Sequence, residues 1–208
     1  MKGGAPLVLA HRGACWDAPE NTLEAFELAI EQGADYVEFD VRLAPDGALV
    51  LAHDPVTDPH RRGLATLDEA LAALRGRVGL AVEIKDGRAA RPTLAALRRH
   101  GCEPEQIILL SFAIRVLETM RRLRPDIRTV LNLGRRPNPA TAGRFWGVGF
   151  DDTVARPKPI SLAQSLGLAT FVFTVNEPAR MRELAALGVT GIFSDRPALL
   201  RETLAAQR

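Results

Sequence analysis

The chain has 208 residues, 47% hydrophobic and 25% charged, the size and composition of a single soluble globular domain with one well-buried core. Its net charge of +2 divides unevenly, with 11 acidic and 3 basic side chains in the first 60 residues against 14 and 24 in the rest. Even so, Arg61, Arg62, Arg75, Arg98, Arg99, Arg121, Arg122 and Arg124 are scattered over expected loops and helix faces with few aromatics between them, which argues against nucleic acid as a partner.

The first apolar run, residues 6–10, stops at His11 and Arg12, far short of a signal-peptide core or a membrane span. No stable membrane insertion is expected, and the expected location is the cytoplasm. Cys15 and Cys102 lack metal-type spacing and make no disulfide framework. Neither is given a role, and Cys15 reads as an incidental loop thiol.

From there, short β-rich runs alternate with segments of helical period, which predicts successive βα units around a parallel sheet. The spacing predicts strands at 7–11, 36–41, 81–85, 107–111, 129–133, 147–150, 170–175 and 191–194. Helices are predicted at 22–32, 67–74, 92–99, 114–123, 160–165, 178–187 and 199–206, with a weak one around 140–146. Asn21 is a plausible N-cap with Glu24 three residues on, Pro92 and Pro178 suit first turns, and Gly33, Gly101, Gly167 and Gly188 follow helical runs. Eight βα units in about 200 residues fit the lower size limit of a (β/α)8 TIM barrel, with its active site at the carboxyl ends of the strands. An open doubly wound sheet is the runner-up, weakened because no Gly-rich fingerprint follows the first strand. Asp46-Gly47 marks a tight turn, so a hairpin should follow the second strand and carry His53 back over the barrel mouth.

In YVEFDV, Glu38 and Asp40 are two apart on a strand and share its inward face. Two such carboxylates repel each other unless a cation or a shared proton compensates them. AVEIKD adds Glu83 and Lys85 on the same face of the next barrel strand. Three carboxylates with open positions suit a hard ion such as Mg²⁺ or Ca²⁺, and a closed Cys/His zinc site is not indicated. A Glu83–Lys85 ion pair is the simpler alternative, but it leaves Glu38 and Asp40 unexplained. His11 and Arg12 end the first strand, and His53 ends the return strand of the hairpin; His60 and His100 read as surface residues. A cation for nonbridging oxygens and two imidazoles for acid and base work fit hydrolysis of a phosphodiester.

LAHRGA at 9–14, APENTLEAFELAIEQGADYVEFDV at 18–41, the APDG turn, LAHD at 51–54, TLDEAL at 66–71, VEIK at 82–85, LLSF at 109–112, FTVN at 173–176 and GIFSDRP at 191–197 together make a highly specific set. On these pieces, which span nearly the whole chain, the sequence resembles the glycerophosphodiester phosphodiesterase family. The resemblance implies a TIM barrel over residues 1–208 and one divalent ion (Mg²⁺, Ca²⁺ or Mn²⁺) held by Glu38, Asp40 and Glu83. It implies acid/base work by His11 and His53, phosphate contacts from Arg12 and Lys85, and substrate contacts from Phe173 and Asn176. The implied reaction is cleavage of a small-molecule glycerophosphodiester to sn-glycerol 3-phosphate and an alcohol. Glu20 and Asn21 would brace the mouth.

Two departures from the family pattern bear on substrate. Phe173 stands where the family usually has Trp, which keeps an apolar wall but removes an indole donor. Between His53 and Thr66 only about a dozen residues remain of an insertion that commonly holds some tens, so a more open mouth is expected. Asp58, His60, Arg61 and Arg62 fall in that shortened loop. A lysophospholipase D-like activity on bulkier substrates, or a noncatalytic barrel that binds phosphorylated ligands, are the alternatives. Oligomeric state is not legible.

Overall fold

The structure, a computed structural model, describes residues 4–57, 63–134 and 137–206. Among these the element order is β1 (Leu7–Ala10), α1 (Leu23–Glu31), β2 (Tyr36–Leu43), β3 (Leu49–Leu51), α2 (Leu67–Leu74), β4 (Gly79–Ile84), α3 (Ala90–Arg99), β5 (Ile107–Ser111), α4 (Ile114–Leu123), β6 (Arg128–Leu133), β7 (Gly147–Asp151), α5 (Pro157–Ser165), β8 (Ala169–Phe173), α6 (Pro178–Ala186), β9 (Gly191–Ser194) and α7 (Pro197–Ala205). The sheet runs β1-β9-β8-β7-β6-β5-β4-β2-β3 and β1 also pairs with β2, so eight parallel strands close into a barrel. The ninth strand, β3, pairs antiparallel to β2 outside the ring. This is a TIM barrel, and the open sheet is excluded by the β1–β2 pairing.

Period-2 alternation explains the layers. Outward residues such as Val37, Phe39 and Val41, with Val82 and Leu109, pack under helix residues including Phe26, Leu71 and Leu97. Inward residues Leu9, Ala81, Ile108, Val130, Phe171 and Phe193 fill the lower barrel with apolar side chains. At the bottom, Gly79 leaves the space taken by the Tyr36 ring, since a Cβ there would lie 2.4 Å from Tyr36 Cδ1. Above this plug the inward positions turn polar, with Glu38, Asp40 and Glu83 buried.

Three local expectations need correction. The weak helix at 140–146 is instead a single 3-10 turn, Pro139–Ala142, because Asn138 caps it and Gly143 ends it after four residues. The cap of α1 is Thr22, whose hydroxyl accepts from the Ala25 N–H, rather than Asn21. The seventh barrel strand, β8, ends at Phe173, two residues early. No helix among the described residues is long and apolar enough to cross a membrane.

Candidate active site

The site begins where β1 ends. Arg12 and Asn21 both have left-handed backbones, with φ of 55° and 58°, a conformation that non-glycine residues hold only when their surroundings compensate. Here the compensation is a set of hydrogen bonds. The Arg12 N–H donates to Glu38 Oε2 at 2.8 Å, and the Asn21 N–H donates to the Arg12 carbonyl at 3.0 Å. The Asn21 amide then clasps Asp40, donating to Oδ2 and accepting from the Asp40 N–H, each at 3.1 Å. Between them Gly13 has a φ of 87°, and a Cβ there would come within 2.7 Å of Ala25.

Glu38, Asp40 and Glu83 are 2, 1 and 7% exposed, and each offers a carboxylate oxygen within 4.8 Å of the others. Burial, and then the charges of Asp40 and Glu83, hold Glu38 well above the usual carboxylate range. Burial likewise raises Glu83, against the opposing pull of Lys85. The Lys85 ammonium lies 3.1 Å from Asp40 Oδ1 and 2.9 Å from Glu83 Oε1. Burial works against its charge, but the two carboxylates outweigh it and raise its pKa. The ion pair weighed against a metal therefore exists, and it takes in Asp40 as well. It does not complete the site: Asp40 Oδ1 and Glu83 Oε1 are buried and share the one Lys85 ammonium between them. Arg12 supplies a second cation, with Nε 3.1 Å from Asp40 Oδ2 and Nη1 2.6 Å from Glu20. Three buried carboxylates against two cations leave negative charge and unfilled oxygen lone pairs, the donor chemistry of a hard divalent ion.

His11 stands beside this cluster at the β1–β9 seam, where its N–H donates to the Ser194 carbonyl at 3.0 Å. Its Nδ1 is 2.7 Å from Asp195 Oδ1. Asp195 also accepts from the Cys15 thiol at 3.1 Å and from the Asn176 amide at 2.6 Å. Burial alone would raise Asp195, but these hydrogen bonds from His11, Cys15 and Asn176 outweigh it and hold the carboxyl at about 2. Conversely, burial and the neighbouring Asp195 push the Cys15 thiol well above its usual value. Asn176, expected among the substrate groups, spends its carbonyl oxygen on the Ser194 hydroxyl and the Asp195 N–H, at 2.9 and 3.0 Å. Phe173 stacks edge-on against both Phe112 and Phe193, and Lys85 lies 5.8 Å over the Phe112 ring.

His53 is held differently. It follows β3, its carbonyl accepts from Arg42 Nε and Nη2 at 2.8 and 2.6 Å, and its Nδ1 is 3.0 Å from Asp54 Oδ1. Its side chain is 43% exposed and that of Asp54 91%. Together with Glu20, Asn21 and residues 54–57, His53 lines a cleft of about 420 Å³ beside Arg12's partners. Asp58, His60, Arg61 and Arg62 lie outside the described residues. His100 pairs with Asp68 on the outer surface, 2.8 Å away.

Asp195 is the principal residue that sequence reasoning passed over. The signal was available: in GIFSDRP it continues the inward alternation of Gly191 and Phe193 past the strand end, where barrel catalytic groups collect. Asn132, 5% exposed and inward on β6, also went unnoticed, with an Oδ1 that has no hydrogen-bond partner.

The chain as a whole is similar to proteins already known. The model of the "Glycerophosphoryl diester phosphodiesterase family" matches residues 11–75 and 79–199. A glycerophosphodiester phosphodiesterase of Bacillus subtilis (strain 168) is 26% identical over 94% of this chain and 85% of its own length. The crystal structure of a glycerophosphodiester phosphodiesterase from Parabacteroides distasonis superposes with a TM-score of 0.88, at 25% identity over 99% of each chain. An Oleispira antarctica phosphodiesterase, solved in complex with the product sn-glycerol-3-phosphate, shares the fold with a TM-score of 0.87 at 24% identity over 97% of both chains.

Proposed function

The chain belongs to the glycerophosphoryl diester phosphodiesterase family, and from that premise we propose that it hydrolyses water-soluble glycerophosphodiesters to sn-glycerol 3-phosphate and an alcohol, acting as one domain over residues 1–208 in the cytoplasm. The observation that carries this reading is the buried triad Glu38, Asp40 and Glu83, whose donor oxygens converge within 4.8 Å of one another, set beside two fixed cations and an oriented histidine.

Glu38, Asp40 and Glu83 would hold one Mg²⁺, Ca²⁺ or Mn²⁺. Such an ion, when bound, supplies positive charge to a nonbridging phosphoryl oxygen and keeps the three carboxylates ionised. The chain's own groups do the rest. Arg12 and Lys85 present guanidinium and ammonium hydrogens to the phosphoryl oxygens where negative charge accumulates. Asp195 holds His11 with its Nδ1 proton inward, so Nε2 faces the mouth with a free lone pair. One of His11 and His53 takes the proton from the attacking hydroxyl, either water or the substrate's own glycerol hydroxyl, and the other donates a proton to the departing alkoxide. Phe173, backed by Phe112 and Phe193, gives the glycerol or alcohol carbons an apolar wall, and Asn176 serves substrate binding by fixing Asp195.

The test is release of glycerol 3-phosphate from glycerophosphocholine by chelator-stripped protein, with and without added Mg²⁺, Mn²⁺ or Ca²⁺. Turnover should depend on the added ion and fall by about 10²–10⁴-fold in His11→Ala and in His53→Ala. Absence of turnover on any glycerophosphodiester with any of the three ions defeats the reading. Faster cleavage of a lysophospholipid reassigns the substrate, and ion binding without hydrolysis makes the barrel a binder.

A further inference from the structure

The loops after β1 and β9 bring together a second set of metal-ligating atoms whose chemistry differs from that of the carboxylate cluster. His11, Cys15 and Asp195 each place a donor atom within 4.8 Å of the others, and all three are partly exposed. Nδ1 and Oδ1 are 2.7 Å apart and Sγ and Oδ1 3.1 Å. Tetrahedral zinc, with Zn–N and Zn–O near 2.0–2.1 Å and Zn–S near 2.3 Å, needs such pairs roughly 3.3–3.6 Å apart. Both edges through Asp195 are thus within about 0.6 Å of zinc geometry, and the remaining edge, from the imidazole to Cys15, is under 4.8 Å. Asp195 is braced from behind by Asn176 at 2.6 Å, the outer hydrogen bond that metal-ligating carboxylates need. Cys15 holds none of the roles assigned above to the hydrolysis, yet its thiol is aimed at the same Asp195 oxygen as His11.

We propose that His11, Cys15 and Asp195 form a site for zinc-class cations, separate from the hard-ion cluster, and that filling it inhibits the enzyme by withdrawing His11. The imidazole, thiolate and carboxylate donors select borderline and soft ions, whereas Glu38, Asp40 and Glu83 offer oxygen alone. On binding, the Cys15 proton leaves to solvent as the metal–sulfur bond forms. His11 gives its Nδ1 lone pair to the ion and carries its ring proton on Nε2, so the hydrogen bond to Asp195 is lost. An imidazole in that state has no free nitrogen to accept a proton as the base, and cannot become the imidazolium that would serve as the acid.

The first arm is optical and independent of catalysis: Co²⁺ is titrated into the full chain with Mg²⁺ in excess. Wild type and Cys102→Ser should develop a thiolate-to-cobalt charge-transfer absorption that Zn²⁺ abolishes, and Cys15→Ser and Cys15→Ala should not. No such band in wild type, or a band that persists in both Cys15 variants, overturns the proposal. The second arm is hydrolysis of glycerophosphocholine with Mg²⁺ present and Zn²⁺ increasing, each variant normalised to its own zinc-free rate. Half-inhibition should need at least tenfold more zinc in Cys15→Ala than in wild type. Equal inhibition of the two would show that zinc acts elsewhere and overturn the proposal, while a protein inert on every diester but positive in the optical arm would retain the metal site and lose only the phosphodiesterase reading.

Discussion

The two histidines assigned to proton transfer sit in opposite kinds of surroundings. His11 is tied to Asp195, which is itself tied to Asn176 and Cys15, at the seam where the first and last barrel strands pair. His53 hangs on a hairpin outside the ring, fixed through its backbone by Arg42 and, among the described residues, with its ring paired to Asp54, a residue 91% exposed. The contrast teaches that one imidazole has its tautomer set by a half-buried carboxylate that is itself braced, whereas the other has its backbone held and its ring paired with a solvent-exposed carboxylate. A braced ring suits a group that must always be in one protonation geometry, and a ring with an exposed partner has a weaker constraint on it.

The contrast can be broken or sharpened by substitution. The largest effect tests whether the chemistry is shared despite the unequal framing: His11→Ala and His53→Ala should each lower kcat by about 10²–10⁴-fold, measured under saturating Mg²⁺, and loss in one alone would remove the other from the mechanism. Next comes Asp195→Asn. The new amide must turn an NH2 toward either His11 and Cys15 or the Asn176 NH2, so the imidazole loses its orientation, and kcat should fall by about 10²-fold with KM moved little.

Asp195 also predicts an acid limb in stability. Its folded pKa of about 2 lies below the ordinary value near 3.9, so its contribution is fully present above about pH 4 and is lost as the pH falls through about 2. Urea midpoints measured from pH 5 to pH 2 should decline more steeply for wild type than for Asp195→Asn. The smallest effect belongs to the other histidine: Asp54→Ala should change kcat/KM by about fivefold or less, since an exposed pair is worth about 1 kcal/mol at most. A loss as large as that of Asp195→Asn would show that the two histidines are framed alike after all.

Most of the fold was legible because the two signals that specify it are local. Period-2 alternation in YVEFDV and AVEIKD put Glu38, Asp40 and Glu83 on inward faces, and the structure buries all three. Helices 67–74 and 114–123 end where their periodicity ends. What was not legible depends on contacts far apart in the chain. Asn21 has the composition of a helix cap, and only the approach of β2 gives it Asp40 to hold, 19 residues on. Cys15 appears isolated by spacing, yet closure of the barrel brings it against Asp195, 180 residues away. Asp195 lies in a motif that stood out as a family match, but its bond to His11 spans 184 residues and exists only once the last strand has joined the first.

The hairpin beyond the ring has a consequence for engineering. The connection from β3 to α2 is clamped at its base, where the Leu51 N–H donates to the Ala65 carbonyl at 2.9 Å and Val50 bridges to Thr66. Its two ends are therefore neighbours by construction, and none of the eight barrel strands runs through it. Lengthening a loop whose ends are already joined costs only about 0.6 kcal/mol per doubling. Beyond His53 this connection is a natural grafting port: caps of different length spliced there leave the strand pairing of the barrel in place, so new specificities can be screened over one mouth.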